Sequence, residues 1–222
     1  MMVKMLDGIG KIVEGYNSVN AALENHRVEE IHIKEKNLQS KKIKDLIELA
    51  DHKKINIKLV KDNKNWKFKS TEYIAALCNP KKIFKDSDLG RFSKTNFIVC
   101  DHIQDINNLG AIARSAASFD FNVMCIPERR SARLNERTFK ISSGGLEKIE
   151  IVEYKSIFTL IKKFQSMDIW TIGLDMHGDQ SIQNFDVGNQ FLAFFIGSEE
   201  NGLSNEIPVS YTHLTLPTNR EV

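Results

Sequence analysis

Five apolar runs after residue 95 constrain the fold more than any other feature of this sequence. Stretches with helical character, 109–119 and 156–165, lie between some of these runs. Strands that are apolar throughout and that alternate with helices are typical of a parallel sheet covered on both faces. The sequence therefore predicts an α/β fold with the strands Phe97–Cys100, Val123–Ile126, Ile149–Val152, Ile169–Leu174 and Phe191–Ile196.

The first 80 residues alternate between helix and strand patterns on a smaller scale. We predict a helix over Ser18–Leu23, with Ser18 as its N-cap, and a second helix over Ser40–Ala50. Val28–Ile33 and Ile55–Val60 have strand patterns, whereas Tyr73–Cys78 fits a strand or a helix equally well.

A polar stretch rich in turn-forming residues, 81–95, separates these two patterns, as linkers commonly do. The predicted organisation is a small α/β domain over 1–80, a linker over 81–95 and a larger domain over 96–208. Residues 209–222 are treated as a separate tail.

The net charge of the chain is only +2, but the charge is unevenly distributed. Residues 1–163 hold 30 Lys and Arg against 21 Asp and Glu, and the remainder holds one Arg against eight acidic residues. A basic first part suits a polyanionic partner such as a nucleic acid. A lysine-rich solvated surface explains the same counts, so charge alone leaves both interpretations open.

Several classes of protein are disfavoured. No run approaches the roughly 20 apolar residues of a membrane-spanning helix, and the N-terminus lacks the pattern of a signal peptide, so we expect a cytoplasmic protein. Cys78, Cys100 and Cys125 form no CxxC pair and adjoin apolar runs, which favours free buried thiols. The fingerprints of dinucleotide and P-loop sites are absent, and the histidines lack metal-ligand spacing, so we expect no metal.

The first polar turn of interest follows the strand at 97–100. Asn108 occupies a position suited to a helix N-cap, and Gly110 has no side chain that would obstruct an approaching ligand. Arg114 follows on the same helix, and a helix N-terminus with a guanidinium favours an RNA phosphate. A capping Asn and a surface Arg explain these residues equally well.

A second turn, Gly197-Ser-Glu-x-x-Gly202, follows the strand at 191–196 and brings backbone groups and the Glu199 carboxylate together. In open α/β sheets, ligands bind at the carboxyl ends of strands. A plain strand-to-helix loop is the alternative. Arg129, Arg130 and Arg133 follow a third strand and either bind RNA phosphates or form a solvated loop.

With these residues in view, the chain resembles the SpoU/TrmH family of RNA ribose 2′-O-methyltransferases. The matches to the first family motif are Asp105, Asn108, Leu109, Gly110 and Arg114-Ser-Ala116. An intervening pattern is matched by Ser131-Ala-Arg-Leu-Asn135 and Ser142-Ser-Gly-Gly145, and the second motif by Gly197-Ser-Glu-Glu-Asn-Gly202 with Asn205-Glu-Ile-Pro208. Residues 14–80 resemble the small RNA-binding domain of the ribosomal-RNA branch.

The resemblance implies a parallel-sheet SPOUT domain of the trefoil-knot type, preceded by a small α/β RNA-binding domain. It implies methyl transfer from S-adenosylmethionine, without a metal, to structured RNA, with ribosomal RNA favoured over transfer RNA, in a homodimer. It further implies catalytic roles for Arg114, Asn108 and Glu199, and S-adenosylmethionine binding by the backbone at Leu174, Gly197 and Ile207.

Two departures from the family pattern stand out. Ile106 replaces the usual Pro of the first motif, and residues 209–222 lack the third motif that contains Ser-Leu-Asn-Val-Ser. From the second departure we expect an incomplete knot, weak binding of S-adenosylmethionine and a poor dimer. A non-catalytic RNA-binding or ribosome-assembly protein is therefore the alternative function.

Overall fold

The computed structural model describes residues 8–174, 180–181, 188–200, 202–204 and 212–215. Contacts divide the chain into two units. Unit 1 comprises Met1–Lys82, Gly110–Ala117 and Leu134–Lys148, and unit 2 comprises Ile83–Leu109, Ser118–Arg133 and Ile149–Val222. Among the described residues, no helix has the length and apolar character needed to cross a membrane.

The secondary-structure elements are numbered in chain order. The strands are β1 (Ile12–Glu14), β2 (Val28–Lys34), β3 (Asn56–Val60), β4 (Ile74–Cys78), β5 (Ile83–Lys85), β6 (Phe97–Cys100), β7 (Val123–Pro127), β8 (Glu150–Tyr154), β9 (Trp170–Leu174), β10 (Gln180–Ser181), β11 (Leu192–Ile196) and β12 (Thr212–Thr215). The α-helices are α1 (Tyr16–Glu24), α2 (Lys41–His52), α3 (Ile106–Ser118), α4 (Glu136–Ile141), α5 (Gly145–Lys148) and α6 (Ile157–Ser166).

Unit 1 is built on a mixed four-stranded sheet with the order β1-β4-β2-β3. Strands β2 and β3 run parallel, and β4 is antiparallel to both β1 and β2. The buried side chains of α1 and α2 include Val19, Leu23 and Leu46, and those of β2 include Ile31 and Ile33. Burying this apolar surface provides the driving force that holds the helices and the sheet together.

Unit 2 contains an eight-stranded sheet with the order β10-β12-β9-β11-β6-β7-β8-β5. Every pair of neighbouring strands is parallel, which confirms the predicted α/β fold with a parallel sheet. Phe97, Phe164 and Phe195 are fully buried within its apolar core. Because the strands are parallel, the carboxyl ends of β6, β7, β9 and β11 share one edge, where polar loops can form a site.

The predicted apolar strands are confirmed, with ends that differ by a residue or two, and Ile74–Cys78 proves to be a strand. The assignment of Ser18 as an N-cap is wrong. Helix α1 begins at Tyr16, and Ser18 lies inside it, buried, with its hydroxyl donating to the carbonyl of Phe139 at 3.0 Å. A backbone carbonyl from elsewhere in the unit supplies the partner, so tertiary packing outweighs the local capping preference.

The segment 81–95 contributes β5, which pairs with β8, and a 3₁₀ segment whose Leu89 is buried in the core of unit 2. The predicted boundaries at 80 and 96 stay a prediction, for which proteolysis is the appropriate measurement. Within the tail 209–222, Thr212–Thr215 forms β12 between β9 and β10. The remaining residues of the tail lie outside the described residues.

Candidate functional site

The first turn of the site connects β6 to α3 within unit 2. Helix α3 begins at Ile106, and a carboxylate oxygen of Asp105 accepts a hydrogen bond from the backbone N–H of Asn107 at 2.8 Å. Asp105 therefore caps the helix, and the assignment of Asn108 as the N-cap is wrong. An anionic acceptor is favourable at a helix N-terminus, where the partial charge is positive.

Asn108 lies instead in the first turn of α3, where its side chain contacts the second predicted turn. Its amide Nδ2 donates to Oε1 of Glu199 at 2.7 Å, although the two residues are 91 positions apart in the chain. The structure therefore brings together two of the three predicted catalytic residues. They line a cleft of about 530 Å³ with His102, Ile103, Gln104, Asp105, Ser198 and Glu200.

The second turn folds back closely on the end of β11. Ser198 and Gly202 exchange two backbone hydrogen bonds, each of 2.9 Å. Gly202 has a φ of 62°, and a Cβ atom on Gly197 would lie 2.0 Å from the carbonyl carbon and oxygen of Gly202. A side chain at position 197 is incompatible with this turn, because backbone atoms occupy the space it requires.

Two of the predicted cofactor-binding positions are neighbours at the carboxyl edge of the sheet. Leu174 is paired in register with Ile196, the residue that precedes Gly197. The third, Ile207, lies outside the described residues. Close by in sequence, the hydroxyl of Ser204 is buried and has no hydrogen-bond partner among the described residues.

Arg114 lies on α3, six residues after Asn108, in the part of the helix that belongs to unit 1, and its side chain is exposed. Gly145 packs closely against the backbone of α3 at this point, since a Cβ atom on Gly145 would lie 2.8 Å from Cα of Arg114. Gly110 is also buried, and a Cβ atom there would lie 2.5 Å from Cγ2 of Ile141. The interpretation that Gly110 leaves room for a ligand is therefore wrong, since Ile141 fills that space.

The arginine-rich loop after β7 borders a second cleft in unit 2, of about 550 Å³. Arg129 and Arg130 line it, together with His102, Pro127, Glu128, Tyr154, Lys155, Ser156 and Ile157. Arg133 is exposed but is not one of the lining residues. Hydrogen bonds from three groups hold the loop to the segment before α3. Gln104 Nε2 donates to the carbonyl of Arg130 at 2.8 Å, and the hydroxyl of Ser131 and the backbone N–H of Ala132 both donate to the carbonyl of Ile103 at 2.9 Å.

Sequence reasoning missed a histidine that borders both clefts. Nδ1 of His102 lies 2.5 Å from Oδ1 of Asp101, whose carboxylate is buried. The spacing of the six histidines along the chain tests only for a metal site and does not detect an adjacent Asp-His pair. The available signal was the position of this pair, directly after an apolar strand and before the first polar turn.

Cys78, Cys100 and Cys125 are free and buried, as predicted. Burial raises the pKa of the Cys100 thiol to about 12, so this thiol remains protonated. Among the described ranges, no group of three His, Cys, Asp or Glu residues is arranged to hold a metal ion.

Comparison with known families gives two matches. The SpoU rRNA Methylase family matches residues 95–222, and the RNA 2′-O ribose methyltransferase substrate-binding family matches residues 12–71. The first match reaches residue 222 and so includes the tail.

Curated relatives carry related names. An uncharacterized tRNA/rRNA methyltransferase of Mycobacterium leprae is 36% identical over 107 residues, which cover 48% of this chain and 34% of that protein. The 23S rRNA (guanosine-2′-O-)-methyltransferase RlmB of Xylella fastidiosa is 30% identical over 106 residues, covering 48% of this chain and 42% of that protein. The matched part therefore spans less than half the length of either relative.

Among solved structures, the SpoU methyltransferase AviRb from Streptomyces viridochromogenes, in complex with AdoMet, is similar in fold. The two chains superpose with a TM-score of 0.73 at 19% identity, over 93% of this chain and 80% of the other. An RNA 2′-O ribose methyltransferase superposes with a TM-score of 0.68 at 13% identity, over 95% and 80% of the two chains.

Proposed function

Since the chain belongs to the SpoU rRNA Methylase family, we propose that it transfers a methyl group from S-adenosylmethionine to a ribose 2′-hydroxyl of structured RNA. The observation that carries this proposal is the hydrogen bond between Asn108 and Glu199. It joins the two turns that bear the family motifs, at the sheet edge where α/β proteins bind their ligands.

We assign the cofactor site to the backbone around Leu174 and Gly197, together with Ile207. The close approach of Gly197 to Gly202 leaves a compact turn at the sheet edge, and the buried Ser204 hydroxyl offers a polar group that a ligand can satisfy. These features fit a polar nucleoside cofactor. When bound, S-adenosylmethionine supplies a methyl group attached to a sulfonium sulfur. The neutral thioether is a good leaving group, so the transfer requires no metal.

The protein residues then position the ribose and stabilise charge. A guanidinium keeps its proton at physiological pH, so Arg114 is suited to orienting an RNA phosphate and stabilising the developing negative charge on oxygen. Asn108 and Glu199 hold each other in place and shape the cleft.

We assign RNA binding to unit 1 and to the loop bearing Arg129, Arg130 and Arg133. Lys155 adds a positive charge to the second cleft, which is also lined by the negatively charged Glu128. Cations in such a groove bind phosphates irrespective of base sequence. We propose ribosomal RNA as the substrate, supported by the 23S rRNA activity in the name of the Xylella relative. Transfer RNA is the alternative, because other relatives are named for both.

The family resemblance implies a homodimer in the cytoplasm, and because residues 209–222 lack the third motif we propose that this chain dimerises only weakly. Sedimentation equilibrium of the purified chain measures the oligomeric state directly. A stable dimer at micromolar concentration would contradict weak dimerisation without affecting the proposed chemistry.

The central experiment incubates the purified chain with tritiated S-adenosylmethionine and unmodified transcripts of 23S rRNA, 16S rRNA and transfer RNA. Methylation at a 2′-hydroxyl is identified by mass spectrometry of nucleosides. Glu199→Ala should reduce the rate at least about 100-fold, because the contact with Asn108 is lost, whereas Gln165→Ala, at an exposed site on α6 in unit 2, serves as the control. RNA binding without any methyl transfer would instead favour the RNA-binding or assembly function.

A further inference from the structure

An aspartate and a histidine form a buried-to-exposed pair at the end of β6. The Asp101 side chain is 1% exposed and the His102 side chain is 36% exposed, with Nδ1 of His102 2.5 Å from Oδ1 of Asp101. The roles proposed for Asn108, Glu199 and Arg114 do not involve this pair. The pair is connected to those residues only by its position, because His102 lines the cleft that contains Asn108 and Glu199.

Asp101 is held by both neighbouring segments. Its backbone N–H donates to the carbonyl of Ile196 at 2.8 Å, and its Oδ2 accepts from the backbone N–H of Ser204 at 2.7 Å. One carboxylate oxygen therefore anchors the second turn while the other is directed at the imidazole. Because Nδ1 faces a carboxylate, the neutral ring carries its proton on Nδ1 and leaves Nε2 as a hydrogen-bond acceptor.

The imidazole stands between the two clefts of unit 2. His102 lines the cleft that contains Asn108 and Glu199, and it also lines the cleft that contains Arg129 and Arg130. Its backbone has a φ of 55°, a left-handed conformation that is uncommon for a residue with a side chain and is often found at functional sites. A nucleotide with its phosphate on Arg129 and Arg130 and its ribose near Asn108 would pass this ring, because His102 lines both clefts.

The charged groups facing His102 come from both sides. Asp105, Glu199 and Glu200 line the first cleft with it, and Asp101 contacts it directly. Arg129, Arg130 and Lys155 face it from the second cleft, together with Glu128. Charged groups of both signs therefore surround the imidazole.

We propose that His102, positioned by Asp101, is the base that accepts the proton of the ribose 2′-hydroxyl. This rests on the proposed function. The 2′-oxygen forms a bond to the methyl carbon as its proton passes to Nε2, and the carbon–sulfur bond breaks with its electron pair remaining on sulfur. The products are a 2′-O-methyl ribose, a neutral thioether and an imidazolium paired with Asp101, which then releases its proton to solvent.

The three residues of the predicted catalytic set fill this role less well, and the amide of Asn108 has no basic nitrogen. Arg114 carries a guanidinium that does not deprotonate. Glu199 already accepts a hydrogen bond from Asn108. A positioned imidazole is the commonest general base in enzymes and contributes about 10²–10⁴-fold in rate.

The kinetic test uses single turnovers of the full chain with tritiated S-adenosylmethionine and an unmodified 23S rRNA transcript. His102→Gln should lower the rate constant about 100-fold or more while leaving the affinities for both ligands within twofold. The wild-type rate should rise with unit slope at acidic pH and then level off, and this inflection should vanish in the variant. Asp101→Asn should shift the inflection, and Gln165→Ala, at an exposed site on α6 in unit 2, is the control.

A second readout does not depend on activity. In ¹⁵N NMR spectra of the chain without ligands, the His102 signal, identified by its absence in His102→Gln, should show the Nδ1–H tautomer. Asp101→Asn should alter that tautomer or its titration. An Nε2–H tautomer in the wild type, or an unchanged rate and pH profile in His102→Gln, would overturn the proposal. A wild-type chain that transfers no methyl group would refute the proposed function instead, while the tautomer still decides whether His102 is an acceptor.

Discussion

Replacing Gly197 by Ala tests the proposed cofactor turn directly. The added Cβ would lie 2.0 Å from the carbonyl carbon and oxygen of Gly202 and 2.3 Å from the backbone nitrogen of Leu203. Carbon atoms pack comfortably at about 3.5 Å, so the two segments must separate by about 1.5 Å. The contacting atoms belong to the backbone, and no side-chain rotation relieves the overlap.

This separation has a cost that follows from the hydrogen bonds of the turn. The two bonds between Ser198 and Gly202, each 2.9 Å, would lengthen beyond bonding distance. Each such bond contributes about 0.5–1.5 kcal/mol net, so the turn loses about 1–3 kcal/mol. Since 1.4 kcal/mol corresponds to a factor of ten, the Kd for S-adenosylmethionine should rise about 5- to 150-fold.

Isothermal titration calorimetry with S-adenosylmethionine measures this change, and circular dichroism checks that the sheet remains folded. Gly90→Ala is the matched control, because nothing lies within 4 Å of the Cβ position there. Unchanged affinity in Gly197→Ala, with the wild type binding normally, would refute the assignment of this turn to the cofactor. An equal loss in Gly90→Ala would show that the effect is not specific to the turn.

Further predictions concern RNA binding, catalysis, pH dependence and domain organisation. Changing Arg129, Arg130 and Arg133 together to Ala should weaken RNA binding. The magnitude of the slope of log K against log salt, measured by filter binding, should fall by about 2. An unchanged slope would show that this loop does not contact RNA. Arg114→Ala should abolish methyl transfer with S-adenosylmethionine affinity within twofold by calorimetry, and an equal loss of affinity would assign this side chain to the cofactor site. Burial raises the pKa of the Glu147 carboxyl above its ordinary value of 4.5, although Arg27 opposes the shift. The stability that the protonated carboxyl contributes is therefore present below pH 4.5 and is lost as the pH rises through the pKa of the folded state. In urea unfolding at pH 4 and 7, Glu147→Gln should therefore gain stability relative to the wild type as the pH rises. A wild type that gains stability relative to the variant over the same pH range would contradict this prediction. Trypsin should cut first within 81–95, at an exposed basic residue, and a first cut elsewhere with this segment intact would count against the predicted linker.

Local pattern was sufficient to identify five strands of the sheet in unit 2 and the fold class. The runs at 97–100 and 191–196 are apolar because β6 and β11 lie inside the sheet of unit 2, where their side chains are buried or partly buried, and this requirement falls on consecutive residues. The same reasoning identified both polar turns, since each follows such a run. The resemblance to the family then indicated which residues of these turns carry chemistry.

Which residues meet was decided by the tertiary structure. The cap of α3 proved to be Asp105, and Asn108 instead reaches Glu199 across 91 positions, a contact that depends on β6 and β11 being neighbours in the sheet. Gly110 is small because Ile141 packs against it, a constraint that no local pattern contains. The sequence likewise did not indicate a role for the Asp101–His102 pair. The proposed role depends on burial of the Asp101 carboxylate and on the two clefts that His102 lines. Hydrophobic periodicity is a property of neighbouring residues and can be read along a chain, whereas a site is made of distant residues whose proximity exists only after the sheet has assembled.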